Sequence, residues 1–322
     1  MPRILLIKTS SLGDVVHNLP VVSDIHASVP DATIDWVVEE AFADIPRLHA
    51  GVARVIPVAL RRWRKSLTSA ETLREEKAFR AILREYEYDA VIDTQGLFKS
   101  ALVARDARAR RGASVGLDWP SSREPLRLFY DRTFSVPWGQ HAVVRNRSLA
   151  AQALGYDVRT APQYGIHAPQ RELPWLPVMP GQRHAVLLHA TSANPKLWPE
   201  PHWEAVSKQL FSNRMVCVLP WGSATEQQRS ERLARAMPGA LVPPRMSLPE
   251  LAALFSRAAL VIGVDTGLLH LAAALGTPSV GIYCDTDPAA TGIHGAVSSV
   301  NLGGIGQPPS VDAVFCAAKA LL

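Results

Sequence analysis

The chain has few of the features that mark secreted, membrane-spanning or dinucleotide-binding proteins. Its 322 residues include only three cysteines, Cys217, Cys284 and Cys316, with no C-x-x-C pair, which is typical of a reducing compartment. The apolar stretch at the N-terminus is too short for a signal peptide. The longest apolar region, residues 260–284, is interrupted by an acid, a histidine and several glycines, and therefore predicts strand–helix–strand rather than a membrane span. No G-x-G-x-x-G or G-x-x-x-x-G-K-[ST] pattern occurs, which disfavours dinucleotide-dependent dehydrogenases and P-loop NTPases.

Positive charge is concentrated in the first half of the chain. Lysine and arginine number 34 against 29 acidic residues, a net charge of +5. Residues 1–165 contribute +4 of this, and residues 96–147 alone hold ten basic and four acidic side chains. Such an excess indicates an anionic partner, which could be phosphate groups, a membrane surface or nucleic acid. A solvated arginine-rich face explains any single cluster equally well.

Apolar runs and helical patterns alternate along both halves of the chain, and this predicts an α/β protein with mostly parallel sheets. The length suggests two domains. Five prolines between residues 155 and 182 predict a linker, so we expect an N-terminal domain over residues 1–160, a linker over 161–182 and a C-terminal domain over 183–322. The terminal helix could cross back to the first domain. Because open α/β sheets bind ligands beyond the carboxyl ends of their strands, both halves can offer loops to one cleft.

The sharpest local motif is Asp265-Thr266-Gly267, which lies between a buried strand and a helix. The unpaired N–H groups at the start of this helix form an anion site, and Gly267 lets a ligand approach the backbone. His270 lies one turn into the helix, where it could face the same ligand. The alternative is an ordinary capped helix with a structural histidine.

Two further loops carry reactive groups. After the first strand, Ser10 and Gly13 form a tight turn and Asp14 opens a helix; Asp14 could be a general base or only a helix-capping acid. After a strand near residue 188, Thr191 and Lys196 could hold a diphosphate, unless Lys196 is merely a solvated loop lysine.

These motifs, in order, resemble one known family. Seven stretches of the chain are similar to motifs of the ADP-heptose:lipopolysaccharide heptosyltransferases. They are ILLIKTSSLGDVVHNLP, RRWRK, DTQGLFKSA, HATSANPKLWPEPHW, PWGSATEQQR, MSL and GVDTGLLHLAAALGTPSVGIY. The resemblance implies a GT-B type fold, with two facing Rossmann-like domains that contain parallel sheets. The acceptor would bind the N-terminal domain and the nucleotide sugar the C-terminal domain. One departure is Pro195, where relatives often carry an acidic residue.

The resemblance also implies the reaction, which is inverting transfer of heptose from ADP-heptose to a Kdo residue of Kdo2-lipid A in synthesis of the lipopolysaccharide inner core. Asp14 would be the catalytic base, and Lys196 would stabilise the charge that develops on ADP. The RRWRK segment favours the subgroup that adds the first heptose over those that use a heptosylated acceptor. A non-catalytic protein that binds anionic lipid or nucleic acid is the alternative from another class, but it explains neither Asp14 nor the second α/β half.

The residues expected to bind each substrate follow from the matching motifs. Those expected at the donor, with Glu226 at ribose and Met246 at adenine, are Thr191, Ser192, Lys196, Glu226, Met246, Asp265, Thr266, Gly267, Leu268 and His270. Those expected at the acceptor are Ser10, Gly13, His17, Arg61, Arg62, Arg64, Lys65, Gln95 and Lys99. Trp63 could sit at a membrane interface or pack within the fold.

No metal and no cofactor besides the donor are expected, and no nucleic-acid partner. Asp285-Thr286-Asp287 has the D-x-D form of metal sites in other glycosyltransferases, but it offers too few ligands. The basic residues would bring the enzyme to an acceptor in the anionic inner leaflet, which implies peripheral association with the cytoplasmic face of the inner membrane.

Overall fold

A computed structural model describes residues 1–176 and 183–322. The chain forms two compact units, residues 1–166 and residues 167–322. The division falls inside the stretch predicted as a linker, whose last six residues, with Pro177 and Pro180, lie outside the described residues. Each unit contains one sheet of parallel strands, so the predicted pair of parallel α/β domains is confirmed.

The first unit alternates strands and helices from its first residues. Its elements, in chain order, are β1 (Arg3–Ile7), α1 (Leu12–Ser28), β2 (Thr33–Glu39), α2 (Asp44–Arg47), β3 (Val52–Val58), α3 (Leu60–Trp63), α4 (Ala70–Leu83), β4 (Ala90–Asp93), α5 (Phe98–Asp106), β5 (Ser114–Leu117), β6 (Arg132–Phe134) and α6 (Ala142–Leu154). Short 3-10 helices cover Glu40–Phe42, Trp119–Ser121 and Arg127–Phe129.

The six strands of the first sheet lie in the order β3-β2-β1-β4-β5-β6 and are all parallel. The central strand β1 is apolar and almost wholly buried because helices cover both faces of a parallel sheet. Since all strands run the same way, the segments that follow Ile7, Glu39, Val58, Asp93 and Leu117 emerge at one edge of the sheet, where ligands bind in open α/β folds.

The end of the first unit is bonded to its own body. Buried Arg147 on α6 pairs with Asp24 on α1 at 2.6 Å, and its Nη2 also donates to the carbonyl of Thr160. Ile166 forms an isolated antiparallel bridge with His49. Residues up to 166 therefore belong to the first unit, although the sequence analysis assigned residues 161–166 to a linker.

The second unit repeats the pattern. After Arg171, whose carbonyl accepts from the Arg257 guanidinium, its elements are β7 (Arg183–Leu188), α7 (Glu200–Ser212), β8 (Met215–Val218), α8 (Ala224–Ala236), α9 (Leu248–Arg257), β9 (Leu260–Val264), α10 (Gly267–Ala274), β10 (Ser279–Tyr283), α11 (Pro288–Thr291), β11 (Ser299–Gly303) and α12 (Val311–Ala320). A 3-10 helix covers Asn194–Lys196.

The second sheet has the order β11-β10-β9-β7-β8, again parallel throughout. Its core includes Trp198 and Trp203, whose rings meet edge to face with centroids 5.2 Å apart. The terminal helix α12 buries Val314 and Ala318 in this same core, and so packs within the second unit. In the described part of the chain, no helix is both long enough and apolar enough to span a bilayer.

Candidate functional site

The loop after β1 holds Asp14 at the carboxyl edge of the first sheet. Asp14 is in the first turn of α1, and its Oδ2 accepts from the N–H of Ser11 at 2.7 Å and from the Ser11 hydroxyl at 2.9 Å. Both contacts use one carboxylate oxygen, so capping leaves Oδ1 for a second task. The carboxylate is half-buried at the sheet edge, and the capping and catalytic interpretations are therefore compatible.

Three predicted acceptor residues meet at this loop. Gln95, which follows β4, accepts through Oε1 from the N–H groups of Thr9 and Ser10 at 3.0 and 2.9 Å. Lys99 on α5 donates to Ser10 Oγ at 2.9 Å, and burial lowers the pKa of its ammonium. Ser10, Gln95 and Lys99 thus form one hydrogen-bonded group next to Asp14, and Gly13 lies in the same turn.

Lys8 is a buried ammonium that the sequence analysis did not single out. Its Nζ donates to the carbonyl of Thr94 at 2.7 Å and to Asn146 Oδ1 at 3.2 Å. Burial lowers its pKa, and the nearby carboxylates of Asp14 and Asp93 oppose that shift. The one available signal was a lysine placed directly after an apolar strand and before the Asp14 loop.

The basic segment after β3 divides into two parts. Arg62 pairs with Glu40 at 3.1 Å and with Glu75 at 2.8 Å, and so already has acidic partners within the first unit. Trp63 is buried against Phe79 and donates through Nε1 to Glu75 at 2.6 Å. Of the two possibilities for Trp63, the structure selects packing within the fold over a membrane interface.

The other basic residues of this segment, Arg61, Arg64 and Lys65, are exposed. The backbone N–H of Arg61 donates to the buried Glu39 carboxylate at 3.0 Å, which anchors the start of α3 to the end of β2. Burial raises the pKa of Glu39. These three side chains remain predicted acceptor contacts.

His17 lies on the buried side of α1, with its ring edge against His141 at a centroid distance of 5.3 Å. Its backbone carbonyl accepts from the Asn146 amide at 3.3 Å, so the residue takes part in the packing of α1 on α6. Contact with an acceptor stays a prediction for this residue.

In the second unit, Asp265 is the centre of a polar cluster at the end of β9. Its Oδ2 accepts from Lys196 Nζ at 2.7 Å, and its Oδ1 lies 3.6 Å from His270 Nε2. The Thr191 hydroxyl donates to its backbone carbonyl at 2.9 Å. Burial alone would raise the pKa of Asp265, but hydrogen bonds from His270 and Lys196 outweigh it and lower this pKa to about 2. The carboxylate is therefore ionised and fixes the position of the Lys196 ammonium.

This cluster stands at the start of α10. Thr266 is the N-cap with extended backbone, and Gly267 and Leu268 are the first residues of the helix, half-buried rather than covered. The first N–H groups of a helix lack intrahelical acceptors and carry partial positive charge. Together with Lys196 they make a site for an anion such as a diphosphate.

Three other predicted donor residues lie on loops or at a helix start of the second unit. Ser192 is exposed between β7 and the 3-10 helix at Asn194–Lys196. Glu226, in the first turn of α8, accepts through Oε2 from the N–H groups of Gly222 and Ser223. Met246 is half-buried just before α9. Glu226 is thus a helix-capping residue whose contact with ribose stays predicted, as do the contacts of Ser192 and Met246.

The D-x-D segment contributes to the cluster through its middle residue. Thr286 donates to Asp265 Oδ2 at 3.0 Å, and Asp287 caps α11 by accepting from the N–H of Ala289 at 2.9 Å. Across residues 1–176 and 183–322, no group of three or more His, Cys, Asp or Glu side chains could hold a metal ion. Sequence reasoning overlooked Thr286 because its partner is distant in the chain.

A pattern G-x-S-x-G over residues 112–116 has the letters of a hydrolase nucleophile turn. Ser114, however, is a buried residue of β5 in register with Val91, and its N–H donates to Asp131. It lies in a strand rather than at a strand-to-helix turn, so it does not form a nucleophile elbow.

Comparison with known proteins places the chain in a family. A model described as glycosyltransferase family 9 (heptosyltransferase) matches residues 77–314. Lipopolysaccharide heptosyltransferase 1 of Escherichia coli K12 is 46% identical over 295 residues, 91% of each chain. The Pseudomonas aeruginosa protein of the same name is 45% identical over 303 residues, 94% of this chain and 83% of that one.

Solved structures agree with this assignment. E. coli heptosyltransferase WaaC with ADP superposes with a TM-score of 0.90 at 42% identity, covering 99% of this chain and 100% of that one. The same enzyme with ADP-2-deoxy-2-fluoro heptose gives a TM-score of 0.84 at 41% identity, covering 99% and 98%. The fold is of the GT-B type expected from the motifs. The chain belongs to glycosyltransferase family 9, the heptosyltransferases, and is a glycosyltransferase.

Proposed function

We propose that this enzyme transfers heptose from ADP-heptose to a Kdo residue of Kdo2-lipid A in synthesis of the lipopolysaccharide inner core. The observation that carries the proposal is the cluster in which Asp265 holds the Lys196 ammonium at the start of α10. An ammonium and helix N–H groups at one point suit a diphosphate leaving group. The bound donor analogue in the 41% identical E. coli WaaC structure supports the same donor class.

The chemistry assigned to this chain is a single displacement. Asp14 accepts the proton of the acceptor hydroxyl while the oxygen of that hydroxyl attacks the anomeric carbon of the heptose. The bond from that carbon to the ADP oxygen breaks on the opposite face, so the configuration inverts. Negative charge then develops on the diphosphate, where Lys196 and the N–H groups of Gly267 and Leu268 stabilise it. Thr191 supports this arrangement through its bond to the Asp265 backbone.

The acceptor end of the proposal depends on the first unit. Arg61, Arg64 and Lys65 are exposed near the edge that carries Asp14, and arginine binds carboxylates and phosphates in a bidentate manner. Relatives called heptosyltransferase 1 reach 46% identity, whereas the E. coli heptosyltransferase 3 proteins reach 24–25%. We therefore prefer a Kdo acceptor to a heptosylated one.

Two further expectations belong to the proposal. The enzyme uses no metal, because lysine and helix N–H groups neutralise the diphosphate, so activity should persist in excess EDTA. It also associates peripherally with the cytoplasmic face of the inner membrane, where its anionic, lipid-linked acceptor is held.

A panel of nucleotide sugars tests the proposal, with Kdo2-lipid A and a heptosylated acceptor offered in parallel and product masses read by mass spectrometry. A mass gain of one heptose on Kdo2-lipid A, with ADP-heptose alone, is the expected result. Transfer only to the heptosylated acceptor would replace the proposed acceptor, and transfer of another sugar would replace the donor.

A further inference from the structure

Four large apolar side chains in the segments that follow β4, β5 and β6 of the first unit are exposed to solvent. They are Phe98 (52% exposed), Trp119 (65%), Leu128 (96%) and Trp138 (52%). Phe98 begins α5 after β4, Trp119 and Leu128 lie between β5 and β6, and Trp138 follows β6. Scattered single apolar residues are normal on a surface, but a contiguous group marks an interaction site. We call these four residues the β5–β6 patch.

Two members of the patch contact chain neighbours of the other two. The Phe98 ring meets Phe129, the neighbour of Leu128, edge to face with centroids 5.1 Å apart. The Trp138 Nε1 donates to the carbonyl of Pro120, the neighbour of Trp119, at 2.7 Å. These contacts bring Phe98 near Leu128 and Trp138 near Trp119. The N–H of Phe98 also donates to Glu124, which lies on the same connection as Trp119 and Leu128.

The fold holds this surface in place. The Arg145 guanidinium lies 4.1 Å from the centroid of the Trp138 ring, and its nitrogens donate to the carbonyls of Ser121 and Pro137, each at 2.7 Å. Tyr130 fixes the connection between β5 and β6 to the sheet, because its hydroxyl donates to the buried Asp93 carboxylate at the end of β4 at 2.7 Å. Trp119 on the β5–β6 connection and Trp138 just after β6 are thus exposed on segments that hydrogen bonds hold to the fold.

Two exposed arginines beside the patch could contact an anionic partner. The three acids of the connection accept from backbone N–H groups: Asp118 from Ser121, Glu124 from Phe98 and Asp131 from Ser114. The two exposed arginines of the same connection, Arg123 and Arg127, take part in none of the ion pairs between described residues. Each acid therefore has a hydrogen-bond donor within the fold, whereas Arg123 and Arg127 are exposed.

We propose that the β5–β6 patch seats the first unit on an anionic lipid bilayer. Tryptophan prefers the headgroup level of a membrane, leucine and phenylalanine reach the acyl region, and each nearby arginine strengthens binding to anionic lipid. This inference rests on the proposed function, since it concerns how a lipid-linked acceptor is reached. Lys99, adjacent to Phe98, is bonded to Ser10 beside Asp14, so a seated patch places the acceptor loop near the lipid surface.

The test uses the full chain and sedimentation with vesicles. We expect binding to vesicles of phosphatidylglycerol and phosphatidylcholine, and much weaker binding to phosphatidylcholine alone. The double variant Trp119→Ser with Leu128→Ser should bind anionic vesicles at least about tenfold more weakly, because two large apolar groups no longer enter the bilayer. The matched control is Val297→Ser with Ile305→Ser, two exposed apolar residues of the second unit, which should bind like the parent.

Activity on a water-soluble, deacylated acceptor separates this inference from the proposed function. The patch variant should retain parental turnover there and lose it only with acceptor embedded in vesicles. Parental vesicle binding without heptose transfer would refute the proposed function and leave the patch standing. Three outcomes would overturn the membrane patch. They are heptose transfer by a parent protein that does not bind vesicles, equal binding of the parent to neutral and anionic vesicles, and an equal loss of vesicle binding in the patch and control variants. A dimer in solution that the patch variant converts to a monomer would also overturn it, since a second copy would then cover this surface.

Discussion

The ionised state of Asp265 leads to a quantitative prediction. Because its pKa lies near 2 in the folded chain and near 3.8 without these contacts, its ionised form is stabilised by about 2 kcal/mol, at about 1.4 kcal/mol per pKa unit. The side chain is 10% exposed, so solvent screens this interaction little. Substituting Asp265→Asn keeps the shape and removes the charge, and we expect it to lower the free energy of unfolding by about 2 kcal/mol at pH 7.

The pH dependence gives this prediction its test. A carboxylate whose pKa is lower in the folded chain stabilises the fold above its unfolded pKa, and the contribution disappears as the pH falls from about 4 towards 2. Urea unfolding of parent and variant should therefore differ at pH 7 and converge in that acidic window. The control is Asp285→Asn, an exposed acid of the adjacent turn, which should change stability little at any pH. A gap between parent and Asp265→Asn that stays constant from pH 7 to pH 3 would refute the electrostatic reasoning.

Three more predictions follow from the two clusters and the core. Asp14→Asn should reduce turnover at least about 100-fold while ADP affinity by calorimetry stays unchanged; parental turnover would remove Asp14 as the base. Thr286→Val should lower kcat/KM about tenfold because Asp265 loses a donor that orients it towards Lys196, whereas Thr286→Ser should restore it; equal loss in both variants would show that only packing matters. Arg147→Met should destabilise the first unit by about 3–5 kcal/mol in urea unfolding because Asp24 remains buried without its partner, and a loss under 1 kcal/mol would contradict this.

The sequence predicted those parts of the fold whose signals are local. The helix expected after Asp265-Thr266-Gly267 is observed at Gly267–Ala274. Thr266 marks its start because N-cap residues can be identified directly from the sequence. The order of the motifs was enough to indicate the family, because motif order can be recognised without knowing which residues are in contact.

Parts of the candidate site that depend on distant partners could not be predicted. Thr286 meets Asp265 across 21 residues, and Lys8 meets Asn146 across 138, so neither pairing leaves a local pattern. The sequence predicts that Arg62 contacts the acceptor, yet in the folded chain its guanidinium forms ion pairs with Glu40 and Glu75. The sequence identifies which side chains can do chemistry, whereas tertiary structure decides which ones are already committed.

The bonds at the ends of the two units also define where the chain can be cut. Thr160 and Ile166 are tied to the first body, and Arg171 is tied to Arg257 in the second. Among the described residues, only positions 167–170 lie between these attachments. A protease site or a short peptide inserted there would sever none of these bonds, whereas the same insertion at residue 160 or 171 would break one. Dividing the gene within residues 167–170 would therefore keep each of these three bonds inside one of the two halves.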